Sequence, residues 1–104
     1  MLDIYFAPSS TVVVPEGPGS LEFAGSIDLH AHRSLADLLE KGRQAGAELP
    51  YFRDSLLNPE QVRLLLEIFV ANASEAKGNA TFAAIGQLLE RAADEGAGLV
   101  AFSD

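Results

Sequence analysis

The segment Asn58-Pro59-Glu60-Gln61-Val62 leaves the chain least freedom. Asparagine can accept from the free backbone N–H groups of a starting helix, and proline fits the first helical position. Glutamine three residues after the cap completes a capping box. Leu57 and Val62 stand where a hydrophobic staple closes the entry. The helix that follows carries Val62, Leu65, Leu66, Phe69 and Ala73 on one stripe, and Leu64, Ile68 and Val70 widen that stripe almost all the way round. A helix apolar on most sides is either central in its fold or covered by a partner. A chain of 104 residues suits one domain built around one core.

The other elements arrange themselves about that helix. Leu2 to Ala7 reads as a strand, Pro8-Ser9-Ser10 as a turn, and the β-branched run Thr11 to Val14 as a second strand. Two prolines and two glycines make residues 15–20 a loop. Leu21 to Ala24 and Ser26 to Ala31 flank Gly25 as two short strands, or as one strand bulged at the glycine. Ser34, with Asp37 three residues on, is the expected cap of a helix stopped by Gly46. A third helix is expected from Thr81, with Phe82, Ile85, Leu88, Leu89 and Ala92 inside and Gly86 marking a close neighbour. Leu99 to Phe102 closes the chain as a strand apolar on both sides. The predicted fold is α+β, a small mostly antiparallel sheet of N-terminal strands plus a C-terminal strand, packed against three helices. It is one domain over residues 1–104, strand-rich over 1–33, helical over 34–96, with the last strand over 98–103.

Composition limits function. Fifteen acidic residues against seven basic ones give a net charge of −8. Such a surface repels nucleic-acid phosphates and anionic lipid and attracts a basic protein or a cation. The absence of cysteine excludes disulfides, thiolate metal sites and cysteine nucleophiles. Met1 to Phe6 has no basic flank and an acid at position 3, unlike a secretory signal. No apolar run approaches the roughly 18 residues that cross a bilayer. The expectation is a soluble, cytoplasmic protein.

Ile27-Asp28-Leu29-His30-Ala31-His32 holds both histidines. As a strand it places Asp28, His30 and His32 on one face, a set that could hold zinc or iron. In its letters the motif resembles the first-strand metal site of amidohydrolase and PHP-type phosphoesterase enzymes. Those enzymes need a barrel of about 250 residues and further histidines from later strands. This chain has neither, so the family is rejected while the local geometry stands as an expectation.

Tyr51-Phe52-Arg53 follows Pro50 in a connection where both aromatics cannot easily face inward. One is expected in the core and the other at a binding surface, since aromatics beside arginine are enriched at interfaces. The run Leu35 to Leu49-Pro50-Tyr51, the leucine-rich helix after it, and the ending Leu88-Leu89-Glu90 to Leu99-Val100-Ala101-Phe102 resemble barstar-type ribonuclease inhibitors. Those proteins are small, acidic and α/β. The paired tyrosine-glycine-asparagine segment of that family is absent and the N-terminal third has no counterpart, so no residue role carries across.

The sequence therefore points to a small acidic protein-binding module without a resident cofactor, in one form an inhibitor or immunity-type protein for a basic partner. The alternatives are a homodimer closed through the apolar helix, and a small metalloenzyme using Asp28, His30 and His32.

Overall fold

A computed structural model describes all residues from Met1 to Asp104. Four strands form one sheet: β1 (Leu2–Ala7), β2 (Glu22–Ile27), β3 (Ser55–Leu57) and β4 (Gly98–Ser103). Their order across the sheet is β2-β1-β4-β3, and every pairing is antiparallel. Four helices complete the chain: α1 (Leu29–Ser34), α2 (Ala36–Ala45), α3 (Pro59–Ala71) and α4 (Ala80–Glu95). The architecture is α+β as the sequence predicts, with four helices in place of three.

α3 begins as the sequence requires. Asn58 accepts from Gln61 N, and the Gln61 side chain accepts from Asn58 N, each at 2.8 Å. Its apolar excess is largely consumed inside the fold. Val62, Leu65 and Phe69 are buried, Leu64, Leu66 and Ile68 are half-buried against the core, and only Val70 stays open to solvent. Ala73 lies beyond the helix and is exposed. The Phe69 ring stacks on Phe82 of α4 at 5.1 Å. The close helix approach falls on Gly42 of α2, where an added Cβ would stand 2.7 Å from Leu65 Cδ1 and 2.9 Å from the Ala47 carbonyl. At Gly86, the expected position, the nearest atom is Phe69 Cδ2 at an ordinary 4.0 Å.

Several local expectations give way. Thr11–Val14 joins no ladder. Ser34 ends α1 rather than capping the next helix, and its hydroxyl donates to the Ala31 carbonyl. Asn79, two residues before Thr81, caps α4 by accepting from Phe82 N. β3 falls inside the stretch expected to be helical, and pairs with β4 from Ser55↔Ala101 to Leu57↔Leu99.

The sheet has two unlike faces. Leu2, Ile4, Phe6, Ile27, Leu57, Leu99 and Ala101 point to one side and join the helices in a single cluster of 19 buried residues. Between Ile4↔Gly25 and Tyr5↔Phe23 the register slips by one residue, leaving Ala24 as the extra residue of a bulge in β2. An unbulged strand would send Phe23 inward and Glu22 outward. The bulge turns Phe23 to the helix-free side and brings Glu22 under α4, where Arg91 Nη1 meets it at 2.6 Å.

Candidate functional site: the helix-free face of the sheet

The segment Asp28 to His32 does not form the alternating strand that put three ligands on one face. Asp28 is the N-cap of α1, its Oδ1 accepting from Ala31 N at 2.8 Å. His30 and His32 lie on that helix about 200° apart, on opposite sides. His32 Nε2 donates to the Leu49 carbonyl at 2.8 Å, since a carbonyl can only accept. Its ring also meets Tyr51 edge-on at 5.4 Å. These contacts tie α1 to the connection after α2. No group of three or more His, Asp or Glu side chains is placed to hold a metal ion.

Tyr51, Phe52 and Arg53 divide their duties. Tyr51 is half-buried and packs on the core, while Phe52 meets its ring edge-on at 5.0 Å and stays 76% exposed. Arg53 forms an ion pair with Glu48. The next residue, Asp54, accepts from Ser103 N at 2.8 Å, so this turn is fastened to the end of β4.

The larger feature is the outer face of the sheet. Cross-strand register sets Leu56, Val100, Tyr5 and Phe23 in one row running from edge to edge. Tyr5 is flanked by two aromatic rings, Phe23 at 5.4 Å and Phe102 at 5.8 Å, both edge-on. Such pairs add stability beyond their area, about 0.5–1.5 kcal/mol each. Val100 is fully buried but outside the core cluster, covered on a face that carries no helix. Phe23 remains 53% exposed. A face left to water is expected to alternate to polar side chains; this one is aromatic.

Its charges have one sign. No strand contains lysine or arginine, and neither residue occurs before Arg33 or after Arg91. Asp3 on β1 lies opposite Phe102, and takes a hydrogen bond from the Ser26 hydroxyl. Five of the seven cations lie on the helices, where Arg43 pairs with Glu40, Lys41 with Glu75 and Arg91 with Glu22 and Glu95, while Arg53 and Lys77 lie in the turns before β3 and α4. The hydrogen bonds from Arg91 to Glu22 and then Glu95 raise its guanidinium further above its ordinary value. The Arg91 guanidinium also lies 4.4 Å from the Phe6 ring centre.

Sequence reasoning missed this face because its row is assembled from four strands, one of them unforeseen. A signal was present in residues 1–32, which carry acids but no lysine or arginine. No protein-family model matches the chain, and comparison with curated proteins and with solved structures returns no match either. No helix is long and apolar enough to cross a membrane.

Proposed function

We propose that the protein is a non-catalytic binding module whose partner is a basic protein, docked on the outer face of the sheet. The observation that carries this reading is the Tyr5-Phe23-Phe102 cluster, aromatic and partly open, on a sheet whose strands carry acids but no cations. Aromatic side chains supply area at low entropic cost in an interface, and complementary charge speeds encounter. A binding role is favoured over a metal-dependent one by the engagement of Asp28 in a cap and His32 in a tether. Closure of a homodimer through α3 loses its motive, because that helix spends its apolar stripe on α4, α2 and the sheet.

The test is capture from the native cell by immobilised wild-type and Phe23→Asp chains at low and high salt, with circular dichroism confirming that the variant folds. A basic protein held by the wild type, weakened by salt and lost on the variant is the expected result. Recovery of no basic protein, or equal recovery by both chains, overturns the proposal.

A further inference from the structure

On the helix side of the sheet one arginine shows how this fold holds a guanidinium. The Arg91 group lies 4.4 Å from the Phe6 ring centre, and pairs with Glu22 at 2.6 Å and with Glu95 at 3.0 Å. A planar cation takes a ring on its face and carboxylates at its edge, an arrangement that suits arginine better than lysine.

The helix-free side carries the same kind of set around Phe102. Register puts Asp3 of β1 directly opposite Phe102 of β4, with neighbouring strands about 4.7–4.9 Å apart. On the other flank Asp54 stands one residue before the Ser55↔Ala101 pair, level with Phe102, and accepts from Ser103 N at 2.8 Å. Tyr5, two residues along β1 from Asp3, meets the Phe102 ring edge-on at 5.8 Å and braces it. Asp3 and Phe102 are half-buried, and a partly buried charge pair is screened less than an exposed one.

Both carboxylates are fixed in place without being neutralised. Asp3 Oδ1 accepts from the Ser26 hydroxyl and Asp54 Oδ1 from Ser103 N, and the second oxygen of each has no partner in the chain. Neither acid pairs with a cation of the chain, although Glu22, Glu40, Glu48 and Glu75 all do. Charge and ring together therefore select the occupant.

We propose that the row Asp3, Phe102 and Asp54 receives an arginine side chain of a protein partner, its guanidinium against the Phe102 ring and paired with Asp3. Asp54 adds attraction from the far side. This rests on the binding reading above and names the residue type through which the basic partner is held.

The probe is N-acetyl-arginine amide, titrated into the isotopically labelled full chain and followed by NMR. N-acetyl-lysine amide and N-acetyl-citrulline amide are the controls, since citrulline keeps the planar shape and removes the charge. Expected with arginine are saturable shifts centred on Asp3, Tyr5 and Phe102, about threefold weaker binding with lysine, and none with citrulline. Asp3→Asn should weaken arginine binding about fivefold, the worth of one exposed ion pair. Its amide oxygen still accepts from Ser26, so the variant keeps the wild-type circular dichroism. Phe102→Leu should abolish the preference for arginine over lysine. Absence of saturable shifts at these residues, equal binding of lysine or citrulline, or indifference to Asp3→Asn overturns the inference. So does a dimer in light scattering that Asp3→Asn dissolves, since the occupant is then a second copy. If capture yields a basic protein that Phe23→Asp loses and Asp3→Asn holds as well as the wild type, the inference alone has failed; if capture yields none, the underlying reading fails as well.

Discussion

The two faces of the sheet are built from the same four strands and do opposite things. On the inner face Ile4 stands between Ala101 and Gly25, and all are closed over by helices. One residue along, Tyr5 stands between Val100 and Phe23 with no helix above. Both faces are apolar. Folding stability accounts for the first, because a sheet must bury one face to stand in water. The second goes beyond what folding asks of an antiparallel sheet, which commonly leaves a polar face to solvent. The contrast separates side chains that folding stability explains from side chains that it does not.

The sharpest way to break the contrast is to truncate one residue on each side. Ile4→Ala removes a fully buried side chain and is expected to cost about 2–5 kcal/mol. Phe23→Ala, which is half open already, is expected to cost about 1 kcal/mol, mostly from the lost ring pair with Tyr5. Urea unfolding measures both; equal losses would make the outer face a second core. A smaller effect of opposite sign is expected at Ser55. Its Oγ is buried on β3 without a hydrogen-bond partner, so Ser55→Ala should stabilise by about 1 kcal/mol in the same assay.

The smallest effect concerns the helical side, where cations and acids are paired. The hydrogen bonds of Arg43 hold the Glu40 carboxyl below its ordinary range. A lowered folded value means stability that is present above the unfolded pKa and is lost as pH falls through the folded one. In an NMR titration the Glu40 midpoint should rise in Arg43→Gln.

The sequence was most legible where local chemistry and tertiary context agree. The capping box at Asn58 and the left-handed glycines Gly46 and Gly96 stand where the residue types place them. It was least legible where neighbours decide. Ser55-Leu56-Leu57 has no β-branched residue and is a strand because β4 offers a ladder. Thr11–Val14 has every intrinsic preference for a strand and lacks a partner in its own chain. At Asp28–His32 the period-two pattern was too short to separate strand from helix. The missing signal was the cap itself: aspartate followed by residues with no valine, isoleucine or threonine until Val62. Beside the candidate site, the split of Tyr51 toward the core and Phe52 toward solvent was readable, and so was the acid excess. The outer-face row was not, because it depends on register.

That register turns on Ala24. The residues of β2 on either side of the bulge occupy different phases of one alternation, as two halves of a message do on either side of a frameshift. If Ala24 were taken into the ladder as a paired residue, Phe23 and Glu22 would exchange faces, erasing the aromatic cluster on one side and the Arg91 contact on the other, whereas deleting Ala24 would close the bulge and leave both faces as they are. In a chain of this design, what a sheet face presents depends on one unpaired residue as much as on the identity of the side chains around it.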